Sequence, residues 1–492
     1  MISIKGELLG LFKLAWPMIL TFVASFLLPM ITIVVVGHLG EDALAGTALG
    51  MMTANVTGFS MIVGLLSGMD TLCSQAFGAG HYELVGIHTQ RAVLICLLCA
   101  VPISLLWVSG VGPLLRIAGQ DPDLIEHAVS FTRILVFGLP AYISIESNKR
   151  FLQTQNVVVT IMVVHALFVV PHATLCWFLV YYLELGFIGA PISLVVTFWG
   201  VAISLLLCTI FGQLYKPETW GGIAIRQVLI PAKLWEYLRL GIPGMLMLAL
   251  EWWSFEFMAF EAGNIGVAPF AAHSMAAQIV PLAFMVTLGM SVAISVRVGH
   301  LLGEGSADMA RRLGKISLAV VAALAVVVAT SLACLTRQVG TVFTEDADVN
   351  VEFRRVFPHV CIFIFFDYFQ GSAQGVARGT GQQAKGAWIV VIGNYCIGLP
   401  LGFVLTFHFG YGIRGLWWGM IAGYCAVMFL FSYLLFGWLD WEDSAKEASA
   451  RSSLPDSGVE VNNGATGDKV QVARTGFSED EHEDADEFST LL

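Results

Sequence analysis

Charge is what this sequence has least of: Asp, Glu, Lys and Arg make up only 12% of its 492 residues, against 57% hydrophobic. At a mean hydropathy of +0.78, that much apolar surface cannot be hidden in one water-soluble core, and the chain needs lipid. No GxxxxGK[ST] loop and no GxSxG elbow occurs, so ATP hydrolysis and serine-type hydrolysis lack their machinery and no enzyme is expected. The histidines are scattered without metal-ligand spacing, so no metal and no other cofactor is expected. All nine cysteines lie inside apolar runs and read as packing residues, including the Cys96 and Cys99 pair, which has no second pair to complete a metal site.

What the sequence has in abundance is long apolar runs. Twelve are long enough to cross a bilayer core of roughly 30 Å. Six run from Phe12–Val36 to Phe187–Phe211 and six from Leu238–Ala262 to Leu416–Leu439. The expected fold is an all-α polytopic membrane protein of twelve transmembrane helices in two pseudo-symmetric six-helix lobes.

The two sets repeat each other in one register, offset by 225 to 226 residues. Phe12-Lys13-Leu14-Ala15-Trp16-Pro17 returns as Leu238-Arg239-Leu240-Gly241-Ile242-Pro243, and Phe77-Gly78-Ala79-Gly80 returns as Leu302-Gly303-Glu304-Gly305. Leu152-Gln153-Thr154-Gln155-Asn156 is answered by Ala377-Arg378-Gly379-Thr380-Gly381, and Gly186 and Gly189 by Gly412 and Gly415. The lobes are accordingly placed at residues 1–225 and 226–439. A duplicated bundle of this kind is a common build for a secondary transporter, with the substrate site between the repeats near mid-membrane.

Residues 440–492 differ in character: 14 acidic against 4 basic side chains account for nearly all of the formal charge of −11. They read as an acidic, disordered tail that lies off the transport path. Lys and Arg cluster in the N-terminus and the even-to-odd loops, among them Lys5, Lys149, Arg226, Arg311, Arg312 and Lys385. By the positive-inside rule both termini are cytoplasmic. A multi-pass protein of the plasma membrane or of a vacuolar or other internal membrane is expected, acting as a monomer in the bilayer with no nucleic-acid partner.

The informative charges are those inside the runs, because an acid at mid-membrane costs about 3 kcal/mol on insertion scales and persists where it faces a cavity with a task. Glu251 and Glu256 in the seventh run and Asp367 in the tenth stand out, followed by Glu261, Glu146 and Asp70. At about 100° per residue Glu251 and Glu256 lie roughly 140° apart on a helix, so they do not converge on one ligand. Glu251, which shares its face with Ser254 and Phe255, reads as cavity-facing. Glu256 reads either as a second cavity acid or as a structural carboxylate bonded to a neighbouring helix. Glu261 sits at the membrane edge, and Asp70 near a helix end reads as structural or gate-associated. Asp367, set in Phe363-Ile364-Phe365-Phe366-Asp367-Tyr368-Phe369, has the most apolar setting of any acid, which suits a proton carrier better than a fixed anion. Trp252, Trp253, Phe255 and Tyr368 are candidate aromatic contacts for an organic cation; the alternative is that these rings face lipid.

Together these residues resemble the multidrug and toxic compound extrusion (MATE) family, in its eukaryotic branch. The likeness covers roughly Leu8 to Leu439 and includes Val36-Gly37-His38-Leu39-Gly40, Met247-Leu248-Ala249-Leu250-Glu251-Trp252-Trp253 and Gly375-Val376-Ala377-Arg378-Gly379-Thr380-Gly381. The resemblance implies two six-helix lobes in a V that exchange protons for small organic cations. It assigns coupling to Glu251 and Asp367 and a second seventh-helix acid to Glu256. It also implies a departure, since Gln278 stands where animal members carry a further glutamate. The resulting expectation is a proton/organic-cation antiporter. The alternatives are an exporter of neutral or anionic metabolites and a flippase for a lipid-linked substrate.

Overall fold

The computed structural model describes residues 4–343 and 347–452, and the acidic run after them lies outside these. The described residues form helices and no strands. The first six long helices are α1 (Ile4–Gly37), α2 (Glu41–Gly78), α3 (Tyr82–Ile117), α4 (Pro122–Thr154), α5 (Val159–Tyr182) and α6 (Gly186–Phe211). The second six are α7 (Pro231–Gly263), α8 (Val267–Gly303), α9 (Ala307–Cys334), α10 (Ala347–Thr380), α11 (Gln383–His408) and α12 (Ile413–Trp438). Helix is the only local answer for segments this apolar, because it satisfies every backbone group without water. Where the ladder is disturbed it widens and does not break, as α2 does through the π turn Asn55–Phe59.

Ten of the twelve are long and apolar enough to cross a membrane by length and composition. The two that fall short, α7 and α10, are 33 and 34 residues long. They lose apolarity because they carry Glu251, Glu256 and Glu261 in one case, and Asp367, Gln370 and Gln374 in the other. The helices poorest as membrane spans are thus those that hold Glu251, Glu256 and Asp367.

The sequence repeat has a structural meaning. Gly80 and Gly305, matched in the repeat, both adopt left-handed backbone, at φ +77° and +76°. Each closes its helix with the same turn, His81 N to Ala76 O at 3.0 Å and Ser306 N to Leu301 O at 2.7 Å. Gly186 and Gly412 are likewise matched, at φ +54° and +58°. The repeated marks are therefore helix stops and starts that require left-handed backbone.

Two large apolar clusters fill the molecule, one mainly from each half, and each takes in the start of the other half's first helix. Leu11, Leu14, Ala15 and Met18 of α1 are buried in the second-half cluster, while Tyr237 and Leu240 of α7 belong to the first-half cluster. Large apolar side chains such as Leu98, Leu105, Val170, Val327 and Phe429 remain on the outside, as a lipid-facing surface requires.

The reading of everything from residue 440 onward as disordered tail is corrected for 441–452, which form α13 (Trp441–Ser452). Asp440 caps its first turn, accepting from Glu442 N at 2.9 Å and Asp443 N at 3.2 Å. Trp441, Ala445, Ala448 and Ser452 form one buried stripe, at the spacing of an amphipathic helix. Its charged side chains lie on the opposite face, and their abundance masked the stripe.

Candidate functional site

Five carboxylates are fully buried among the described residues: Glu7, Asp70, Glu146, Glu251 and Asp367. Three have a basic partner. Glu7 Oε2 pairs with Arg297 Nη2 at 2.5 Å, Asp70 with Arg150 and Arg378 at 3.3 and 3.4 Å, and Glu146 with Lys149 and with Arg150 Nη1, the latter at 2.7 Å. Glu251 and Asp367 have no ion pair among the described residues.

Those two belong to one buried polar cluster, called the acid pocket below, set among the second-half apolar residues. Glu251 Oε2 accepts from Gln374 Nε2 at 2.7 Å. On α10, Asp367, Gln370 and Gln374 recur at i, i+3 and i+7, a single helix face. Tyr424 of α12 stands among Glu251, Asp367, Gln370 and Asn394, and Asn394 of α11 donates to Ser254 of α7 at 3.4 Å. Phe363 flanks the pocket, its ring centroid 4.6 Å from that of Tyr424 and 5.7 Å from that of Phe255. The pocket's hydrogen-bonding capacity is underused: Asp367 Oδ2, both side-chain polar atoms of Gln370, Asn394 Oδ1 and Tyr424 Oη are buried without a partner. Such orphaned groups are costly, and a cluster of them can accept a proton, water or a cationic group.

The remaining candidates are placed differently. Glu256 is half-buried on another face of α7 and has no ion pair or side-chain hydrogen bond among the described residues. Glu261 is half-buried with Oε2 unpartnered. Trp252 is half-buried, and Trp253 crosses to the other half, donating from Nε1 to the Val56 carbonyl at 3.3 Å. Phe255 lines the acid pocket. Tyr368 is fully buried and donates to the Ala283 carbonyl of α8 at 2.9 Å, which makes it part of the α8–α10 packing here. Gln278 is exposed. Among the described residues no His, Cys, Asp and Glu side chains group as a metal site. A cavity of about 490 Å³ lies elsewhere, against the segment joining the halves, lined by Glu83, Gln90 and Gly221–Gln227.

Gln370, Gln374, Asn394 and Tyr424 escape a search for charges alone. The amides at the third and seventh positions after Asp367 were the available signal, since uncharged polar side chains also need a reason to lie in an apolar helix.

The halves are sealed at the end of the bundle that carries Ile4 and Ser452. Thr71 Oγ1 donates to the Arg378 carbonyl at 2.5 Å, Gln75 Nε2 to the Gly379 carbonyl at 3.0 Å, and Gln383 Nε2 to Thr71 Oγ1 at 2.6 Å. His300 Nε2 meets the Thr154 carbonyl at 2.9 Å. Helices α2 and α8 touch backbone to backbone there, and a Cβ on Gly78 would run into the His300 carbonyl. Helix α13 adds contacts from Arg451 to Gln75 Oε1 at 3.4 Å and from the Ser452 carbonyl to His81.

Comparison with known proteins agrees with this architecture. The MatE family model matches twice, at residues 17–178 and 243–404, with Pro17 and Pro243 heading the two matches in the register of the repeat. Mouse multidrug and toxin extrusion protein 2 is 35% identical over 454 residues, covering 92% of this chain and 78% of that protein. Human multidrug and toxin extrusion protein 1 is 33% identical over 453 residues, with the same coverage. Protein DETOXIFICATION 16 of Arabidopsis thaliana is 31% identical over 467 residues, covering 93% of this chain and 94% of that protein. The crystal structure of the eukaryotic MATE transporter AtDTX14 superposes with a TM-score of 0.85 at 30% identity, over 92% of this chain and all of that one. A duplicated, two-lobed bundle with both halves matched by the family model makes this chain a multi-pass membrane protein of the MATE family of multidrug and toxin extrusion transporters.

Proposed function

We propose that this transporter is a secondary active antiporter that exports small organic cations in exchange for protons, with Glu251 and Asp367 as the groups that carry both. The observation behind this reading is the division among buried carboxylates: three have a cation built into the protein, and these two have none. An unpaired buried carboxylate is strongly disfavoured, so each must take a proton or a cation from outside. Competition of the two ligands for one negative charge is what couples their movements in opposite directions. The pocket's rings, Phe255 and Phe363, offer apolar and cation–π surface to an organic cation. With no nucleotide engine in the sequence, a proton gradient supplies the driving force.

Both termini are assigned to the cytoplasm, which makes the sealed end the cytoplasmic one and the present state closed to the cytoplasm. The membrane is the plasma membrane or a vacuolar or other internal one, and a single chain holds the whole site.

The test is uptake of a fluorescent organic cation into proteoliposomes with and without an imposed pH gradient. Uptake should require a lumen more acidic than the medium and should alkalinise it, protons leaving as cations enter. Asp367→Asn should abolish the gradient-driven component with no loss of inserted protein; undiminished exchange in that variant would remove Asp367 from the mechanism.

A further inference from the structure

Between the acid pocket and the sealed end lies a second buried charge cluster that the proposed exchange does not yet use. Asp70 of α2, Glu146, Lys149 and Arg150 of α4, and Arg378 of α10 are all buried. Two acids face three bases, so the cluster carries one excess positive charge. Within the first half it is tightly bonded: Arg150 Nη1 to Glu146 at 2.7 Å and Arg150 Nη2 to the Val63 carbonyl at 3.1 Å. The link between halves is looser. Arg378 Nε stands 3.4 Å from Asp70 Oδ2, and the Nε atoms of both arginines lack a hydrogen bond, so this contact is electrostatic attraction without hydrogen-bond geometry.

Arg378 follows Gln374 by one helical turn, about 6 Å along α10, and Gln374 holds Glu251. Its Nη2 is steadied by Ser291 of α8 at 2.8 Å. An ionised Glu251 therefore supplies, one turn away, the negative charge that the seal lacks. Asp367 is three turns from Arg378, about 16 Å, too far to substitute. Of the other ionisable groups packed around the seal, Arg297 is engaged with Glu7, Arg451 with Glu447, His300 with the Thr154 carbonyl and His165 with the Ile161 carbonyl; Tyr142 stands near Glu146 and Arg150 within the first half, and Glu304 near Arg297 and Glu7. Tyr237 of α7 donates to the Leu65 carbonyl.

We infer that Arg378 is a positioning residue through which Glu251 controls the seal. When Glu251 is empty and ionised the charges balance and the halves stay locked. When a proton or an organic cation neutralises Glu251, the seal is left with an unbalanced positive charge and parts. Either ligand unlocks the same contact, and an empty carrier cannot switch, which is the condition for exchange without leak. This inference rests on the antiport reading in assigning those two ligands to Glu251.

The test uses pulsed dipolar distances in the full chain in lipid nanodiscs, with gadolinium labels on unnatural amino acids at the exposed positions Glu83 and Ala384. At alkaline pH without organic cation, where Glu251 is empty and ionised, the wild type should give a short distance, and Glu251→Gln a several-fold larger population at longer distance. Arg378→Gln balances the cluster but removes the contact with Asp70 that joins the halves, so it should already show the longer distance, with no further change on adding Glu251→Gln, whereas Arg378→Lys should behave as wild type. Asp70→Asn, which removes the other side of the link, should also open under these conditions. The inference is overturned if Arg378→Gln or Asp70→Asn leaves the distances unchanged, or if Glu251→Gln opens the Arg378→Gln background as fully as the wild type. These distances need no transport, so a chain that opens as described but exchanges no protons overturns the antiport reading alone. A proton exchanger with invariant distances overturns this inference alone.

Discussion

Gln374 and Glu251 lie 123 residues apart in sequence and 2.7 Å apart in space, the amide of one helix donating to the carboxylate of another. Among the described residues no base lies within pairing distance of that carboxylate, and this amide is the side chain that holds it.

Gln374→Leu removes the donor while keeping the size of the side chain. Hydrogen bonds to charged groups are worth about 1.5–3 kcal/mol, so gradient-driven cation exchange should fall by at least about tenfold. Initial rates in proteoliposomes at equal protein content would measure it, and a variant within twofold of wild type would mean that Glu251 is held by something else.

Glu146→Gln should act on stability. It strands Lys149 and part of Arg150 in a buried site, and breaking a buried ion pair by removing one partner costs about 3–5 kcal/mol. A marked fall in the detergent-solubilised melting temperature is expected, while Lys233→Gln, at the half-exposed pair with Glu236, should leave it nearly unchanged.

Gly78→Ala tests the close approach of α2 and α8. Its methyl group would meet the His300 backbone, which cannot move aside as a side chain can, and overpacking of this kind costs about 1–3 kcal/mol. Gly221→Ala, with open space around it, is the control and should melt within about 0.5 kcal/mol of wild type. Equal melting of the two variants would mean that the helices separate there at no cost.

Two truncations separate helix from tail. Ending the chain after Ser452 keeps α13 whole and should leave stability unchanged. Ending it after Asp443 removes buried Ala445 and Ala448 and the links from Arg451 and Ser452 to α2 and its following turn, a loss on the order of 2 kcal/mol. Thermal unfolding of both in the same detergent gives the comparison; identical curves would make α13 a passive appendage.

The twelve helices were legible because a bilayer imposes a length and a composition that few other structures share. The repeat was legible because it is written in helix stops, where Gly80 and Gly305 must adopt the same left-handed backbone. Glu251 and Asp367 were legible as charges in apolar runs. What the sequence withheld was long-range pairing: nothing in Asp70 or Arg378 taken singly says that they meet across the two halves, whereas Glu251 has no base within pairing distance among the described residues. Helix α13 was hidden by its own charged face, and the bond from Tyr368 to the Ala283 carbonyl was not legible from its neighbour Asp367, because adjacent residues on a helix point about 100° apart.

The exchange of helix starts between the two apolar clusters has a consequence for how the protein is made. The first six helices leave the ribosome before Tyr237 and Leu240 exist, so the first cluster stays incomplete until the seventh begins to emerge. The second cluster meanwhile needs Leu11, Leu14 and Met18, which are synthesised before any residue of the second half. Neither half is a finished folding unit, and a ribosome halted after Phe211 would leave a bundle with one face still open to whatever insertion factor accompanies it.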